Sequence, residues 1–289
     1  MLANSTLITP IVKVATAESI RTTDTLAIEE PLEIRLEYGS EGERHVKNIS
    51  VTMRTPGNDA ELANGFLFTE GIINHAEDVL NTNHCFIACA ENKENVIQVS
   101  LVPQIVPRLQ NADRNFYTTS SCGVCGKGSI NAIRTVSSFQ HQQPDHNTVN
   151  AEVLYLLPQL LQRHQRVFTA TGGLHAAALF SPTGELLLLR EDVGRHNALD
   201  KLIGAALAYG WLPLQQTILL LSGRASFELV QKAAMAGINI MAAVGAPSSL
   251  AVQLADEFNI TLLGFLRDER FNIYTAAHRV LITNYENTY

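Results

Sequence analysis

From Pro31 to Tyr38 apolar and polar residues alternate, the pattern of a strand with one face buried, and Gly39 ends the run. A second strand is expected over Val46 to Met53, after a charged turn at Glu41-Gly42-Glu43-Arg44. Arg54-Thr55-Pro56-Gly57-Asn58-Asp59 breaks the alternation and leads into a helix that Asn58 or Asp59 can cap, with Leu62, Phe66 and Ile73 near one face. Val96 to Leu101 reads as a further strand. Before Ile28 no period is clear, and a frayed arm is expected there.

The second half has a different rhythm. Val149 to Gln165 carries leucines at helical intervals, with Pro158 marking a kink or break. Ala176 to Phe180 and Leu186 to Leu189 are short apolar strands around a Pro182-Thr183-Gly184 turn. Helices are expected over Asn197 to Tyr209, Phe227 to Met235 and Ser248 to Phe258. They alternate with apolar strands over Thr217 to Leu221, Ile238 to Val244 and Ile260 to Phe265. Strands this apolar are covered on both faces, and their alternation with helices implies a parallel sheet. The expected organisation is an arm over 1–28, an α+β module over 29–115, a cysteine loop and linker over 116–148, and an α/β domain over 149–289.

Composition narrows the class. The chain has 289 residues, 46% hydrophobic and 17% charged, which fits a folded globular protein. A formal net charge of -7 excludes a general DNA or RNA binder. Residues 1–6 lack the basic start of a signal peptide, and no window reaches membrane-span length. Four cysteines do not make a disulfide scaffold. A cytoplasmic protein with reduced thiols is expected, without a membrane partner.

The strongest chemistry sits in Ser121-Cys122-Gly123-Val124-Cys125-Gly126-Lys127. Glycines free the backbone around the two thiols, and a nearby lysine favours the thiolate. Three readings stand: half of a zinc site, a dithiol redox centre, or a carrier of transferable sulfur. Four-thiolate zinc would need Cys85 and Cys89 as the second pair, at CxxxC spacing. A redox CxxC belongs at a strand end opening a βαβ unit, and this one lies mid-chain in a Ser/Gly-rich loop. Sulfur handling is the preferred reading, with no metal.

Ligands of such sheets bind beyond the carboxyl ends of strands. Ser222-Gly223-Arg224-Ala225-Ser226 follows one strand and offers amides, hydroxyls and a guanidinium to a phosphate; Gly245-Ala246-Pro247-Ser248-Ser249 repeats the arrangement after the next. Simple helix capping is the competing reading for each serine. Arg190-Glu191-Asp192-Val193-Gly194-Arg195-His196-Asn197 is dense in polar groups that must pair with one another or hold a ligand. Arg267 and Arg270, beside Phe265, Phe271 and Tyr274, suit a nucleotide.

Taken together, Met53-Arg54-Thr55-Pro56-Gly57, Gly65 to Gly71, Ser121 to Gly126, Thr171-Gly172-Gly173-Leu174-His175, Arg190 to Asn197, Ser222-Gly223-Arg224 and Arg267 to Tyr274 resemble the FdhD family of formate dehydrogenase accessory sulfurtransferases. The resemblance implies a main domain like cytidine deaminase, with a smaller N-terminal α+β module. It implies that sulfur passes from a cysteine desulfurase to the bis-molybdopterin guanine dinucleotide molybdenum cofactor, which then serves formate dehydrogenase. The family's cysteine pair falls on Cys122 and Cys125. Its cofactor-contacting segment falls on Phe265, Leu266, Arg267, Asp268, Glu269 and Arg270, to which the residue reading adds Ser222, Arg224 and Gly245. His175 is followed by Ala176-Ala177-Ala178 rather than a glutamate, so deaminase chemistry is not implied. Such proteins are often homodimers. The rival reading is a non-catalytic cofactor-binding chaperone whose CxxC is structural or holds zinc.

Overall fold

The computed structural model describes residues 5–16, 18–85, 94–109, 116–117, 139 and 147–282. Its first elements correct the expectation of a frayed arm. β1 (Thr6–Ala15) and β2 (Glu18–Ala27) pair antiparallel along their whole length as a separate two-stranded ribbon. Apolar residues stand on both of its faces, so no single-sided period betrays it.

The predicted alternation at Pro31 to Tyr38 becomes β3 (Glu30–Ser40), with Leu32, Ile34 and Leu36 buried. β4 (Glu43–Arg54), α1 (Asp59–Thr69), β5 (Val79–His84), β6 (Val96–Leu101) and β7 (Phe116–Tyr117) complete this half. The five strands form one sheet in the order β5-β6-β3-β4-β7. β8 (Val149–Asn150) and α2 (Ala151–His164) follow, and α2 runs through Pro158 instead of breaking there. After it come α3 (Arg166–Thr171), β9 (His175–Phe180), β10 (Leu186–Asp192) and α4 (Arg195–Ala208). The remainder is β11 (Ile218–Leu221), α5 (Phe227–Met235), β12 (Ile240–Ala243), α6 (Ser249–Glu257), β13 (Thr261–Arg267), β14 (Arg270–Ile273) and β15 (Val280–Leu281). None of these helices is long and apolar enough to cross a membrane.

The main sheet is mixed, in the order β10-β9-β11-β12-β13-β14. Only β11, β12 and β13 are joined by parallel pairings; β9 is antiparallel to both neighbours, and β14 is antiparallel to β13. The expectation of a mostly parallel sheet is corrected to this extent. The short turn after Phe180 is a hairpin, and a parallel connection needs a dozen residues or more. Both faces are covered, as the apolar runs require. Ala177, Leu179, Leu219, Leu221, Met241 and Ala243 face one core, and Ala176, Ala178, Phe180, Ile218, Leu220, Ile240 and Ala242 face the other. The first core also takes Leu32, Ile34 and Leu36 of β3, so both halves of the chain close over one apolar volume.

Candidate functional site at the carboxyl edge of the main sheet

The direction of each strand brings five loops to one edge. β10, β11, β12 and β13 end there and the antiparallel β9 begins there, so His175, Arg195, Ser222 to Ser226, Gly245 to Ser248 and Phe265 converge. Backbone bonds weave the loops together. Gly245 N–H donates to Gly223 O at 2.9 Å, Phe265 N–H to Gly245 O at 3.1 Å, Ala225 N–H to Ala246 O at 3.2 Å and Ser248 N–H to Ala225 O at 3.0 Å. Gly245 leaves little room for a side chain, since a Cβ would lie 3.1 Å from the backbone nitrogen of Arg224.

The two serine loops differ in use. Ser248 caps α6, its hydroxyl accepting from Ala251 N–H at 3.2 Å. Ser226 starts α5 without a side-chain cap and instead meets His196, Oγ to Nε2 at 3.3 Å. Ser222 is a joint between strands: its Oγ accepts from Ala176 N–H at 2.8 Å, and its own N–H donates to Ala176 O at 3.0 Å. Arg224 is exposed.

Phe265 interrupts β13. The register against β14 shifts between Gly264 and Arg267, and Phe265 has φ of 56°, left-handed for an aromatic residue. The irregularity turns its ring outward while Leu266 stays buried. Arg267 pairs with Arg270 across a two-residue turn in which Asp268 (φ 53°) and Glu269 (φ 55°) are both left-handed. Asn-Gly or Asp-Gly ordinarily fills such a turn, so Glu269 is the residue that departs from the rule. Arg267, Asp268, Glu269 and Arg270 are all exposed, so this strained tip offers two guanidiniums to solvent beside an outward ring.

Most of Arg190 to Asn197 is accounted for by pairing. Arg190 forms a bidentate pair with Glu61, one leg at 2.7 Å. Glu191 accepts from Val167 and Phe168 N–H, capping α3. Asp192 is fully buried against Lys201 at 2.7 Å, and also accepts from Thr55, Gly194 and the Asn197 amide. Asn197 reaches Met53 O at 2.7 Å. Arg195 and His196 remain at the edge. The Nε2 of His196 serves both contacts, with Ser226 and with Glu228 at 3.8 Å. A charge relay needs opposite ring nitrogens, so Ser226 is not an activated nucleophile. Burial first, then the positive charges of Lys232 and Arg195, pull the His196 imidazole down to about 3. Burial and Arg195 likewise lower His175, whose ring lies against Gly223. Both imidazoles are neutral at working pH.

Of the polar residues near Met53 and Gly65, Arg54 braces the N-terminal half and Thr69 joins it to the main domain. Arg54, 1% exposed, forks onto Asp59 at 3.0 and 3.1 Å and reaches Asn95 at 3.0 Å. Thr69 donates to Asp200 at 2.8 Å, and Lys232 meets both at 2.9 Å. Burial pulls Lys232 down, but the Asp200 and Glu70 carboxylates outweigh it and hold the ammonium above its usual range. Sequence reasoning missed the Thr69, Asp200 and Lys232 cluster because its members stand far apart in the chain; charged residues inside otherwise apolar helices, Lys201 and Lys232, were the available signal.

Cys122, Cys125 and Cys89 lie outside the described residues; Cys85 is half-buried, with its Sγ 3.7 Å from Gln98. Among the described residues no group of His, Cys, Asp and Glu could hold a metal ion.

Residues 27–281 match the model of the FdhD/NarQ family. A protein of Mycolicibacterium paratuberculosis named sulfur carrier protein FdhD is 53% identical over 91% of this chain and 94% of its own. One of the same name from Saccharolobus solfataricus is 41% identical over 93% and 96%. The crystal structure of a candidate formate dehydrogenase accessory protein from Desulfotalea psychrophila shares the fold, with a TM-score of 0.71 at 22% identity, covering 96% of this chain and all of that one.

Proposed function

The chain belongs to the FdhD/NarQ family, and from that premise we propose that it is a sulfur carrier that equips the molybdenum cofactor of formate dehydrogenase. The observation that carries this is the near end-to-end match to relatives named sulfur carrier protein FdhD. On this reading the thiolate of Cys122 attacks the outer sulfur of a cysteine desulfurase persulfide. The donor's S–S bond breaks, the donor cysteine leaves as thiolate with the bonding pair, and Cys122 holds the sulfur. Attack by Cys125 on the inner sulfur then forms a disulfide and releases sulfide to the recipient.

The substrate on this reading is the bis-molybdopterin guanine dinucleotide cofactor. The carboxyl edge suits its guanine nucleotide: Phe265 offers a ring for stacking, Arg224, Arg267 and Arg270 offer charge to phosphate, and Gly223 and Gly245 let backbone approach closely. Neutral His175 and His196 would accept hydrogen bonds there without adding charge. The run from antiparallel β9 into parallel β11, β12 and β13 is consistent with a cytidine deaminase-like sheet, without the glutamate that deamination requires.

Intact-mass analysis after incubation with a cysteine desulfurase and cysteine tests the reading. One added sulfur, lost in Cys122→Ala and kept in Cys85→Ala, is expected; no added sulfur on the wild type would overturn it.

A further inference from the structure

Thr55 follows the last residue of β4, one position past the Arg54–Glu30 pair that ends its ladder with β3, and is 3% exposed. Its amide and carbonyl, buried beyond that ladder, must be satisfied elsewhere. All three of its polar groups bond across to the main domain, at the turn from β10 into α4. Its N–H donates to Asp192 Oδ2 at 3.1 Å, its hydroxyl accepts from Val193 N–H at 3.2 Å, and its carbonyl accepts from Lys201 Nζ at 2.8 Å. The Lys201–Asp192 pair closes these bonds into a ring. Just upstream, β4 also holds Asn197, whose amide donates to Met53 O at 2.7 Å and accepts from the Thr52 hydroxyl at 3.1 Å. The turn so held has Gly194 as its N-cap, with no side chain to cap α4, and the helix then opens with Arg195 and His196.

We infer that Thr55 is a positioning residue for the carboxyl edge, setting from the N-terminal half where Arg195 and His196 stand. The inference rests on the nucleotide reading of that edge. Arg195 and His196 follow Val193 so closely that any shift of the Val193 amide is carried to both. Their own contacts are sensitive to such a shift. The Arg195 charge reaches the rings of His175 and His196, and His196 meets Ser226 at 3.3 Å. That distance is already long for a hydrogen bond, so a small displacement breaks it. The Thr55 hydroxyl is the part of the clasp that can be removed alone. Without it the part-buried Val193 N–H is left unpaired, a cost that the turn sheds only by moving. The bonds from the Thr55 amide and carbonyl remain, so the two halves stay docked.

Calorimetric titration of GDP against the full chain, beside urea unfolding, tests the positioning. Thr55→Val keeps the size and removes the hydroxyl, and is expected to weaken GDP binding roughly fivefold or more. Thr55→Ser keeps the hydroxyl and is expected to bind as wild type, although loss of the buried methyl lowers its urea midpoint. Glu61→Gln cuts another pairing between the halves, with Arg190, and is expected to lower the urea midpoint with affinity unchanged. A merely structural Thr55 would move the midpoint and leave GDP affinity alone. The ligand-free protein gives a second readout: the ring resonances of His196 should shift in Thr55→Val and overlay wild type in Thr55→Ser. Wild-type affinity in Thr55→Val, or an equal loss in Glu61→Gln, would overturn the inference. If wild type binds no GDP, the nucleotide reading fails and the His196 resonances decide the positioning by themselves; unchanged in Thr55→Val, they overturn it.

Discussion

Gly65 of α1 and Gly204 of α4 meet where the two helices cross, backbone against backbone. A Cβ on Gly65 would fall inside the carbonyl oxygen of Asp200 and 2.8 Å from the nitrogen of Gly204; one on Gly204 would strike the carbonyl of Glu61. This crossing brings the backbones of the N-terminal half and the main domain together, and the buried Lys232 contacts with Thr69 and Asp200 lie beside it. Gly204→Ala should therefore cost at least ~2 kcal/mol, because backbone has to move apart. Urea unfolding measures it, and a variant as stable as wild type would disprove the contact.

Lys232 and Asp200 form a buried pair, so removing one partner leaves an uncompensated group. Lys232→Met should destabilise by about 3–5 kcal/mol, and the double variant with Asp200→Asn by less than the sum of the two singles. Because the folded ammonium is held above its usual pKa, its contribution is complete below the unfolded lysine value. It is lost as pH rises through the folded value. Alkaline unfolding should be steep in wild type and shallower in Lys232→Met.

His196 works in the opposite direction. Its folded pKa is about 3 against an ordinary 6.5, so the unfolded state binds more protons between these values, and stability is lost as pH drops through that window. His196→Gln should flatten the acid limb of the stability profile. The His196 ring resonances should not titrate from pH 8 to roughly pH 4.5, unlike those of an ordinary histidine; a midpoint near 6.5 would contradict the burial described.

The Asp268-Glu269 turn stores backbone strain at an exposed tip. Glu269→Gly should raise stability by about 1 kcal/mol, since glycine takes positive φ without penalty. Thermal melting checks the sign. No gain would mean that the turn is relaxed in solution.

Arg267 tests the nucleotide reading. Arg267→Ala should weaken GDP binding roughly tenfold by calorimetry, through loss of a charge-assisted contact to phosphate. Unchanged affinity removes this arginine from the site, and absence of GDP binding to wild type argues against the edge as a whole.

The main domain was largely readable because its strands are short, apolar and punctuated. α5 falls on the predicted Phe227 to Met235, and β9 to β13 within a few residues of expectation. Direction was not readable from apolarity alone, although the three-residue turn at Pro182-Thr183-Gly184 already required an antiparallel neighbour. The ribbon escaped because a strand pair exposed on both faces has no buried side to set a period. At the site, spacing placed Ser222, Arg224, Gly245 and Phe265 on one edge, but it could not assign hydroxyls. Ser222 proves to be a strand joint, Ser248 a cap, and Ser226 a partner of His196. Those roles depend on groups brought close only by folding.

The shared core also sets an order of events during synthesis. The apolar face of β6 is covered by α1, but α1 in turn packs on α4, which leaves the ribosome more than a hundred residues after it. At roughly 5–20 residues per second that interval lasts on the order of ten seconds. Throughout it, the side of α1 that carries Gly65 has no native partner. The nascent N-terminal half thus carries an uncovered helix face, and an early stop codon in α4 would release a sticky fragment in place of a free-standing domain.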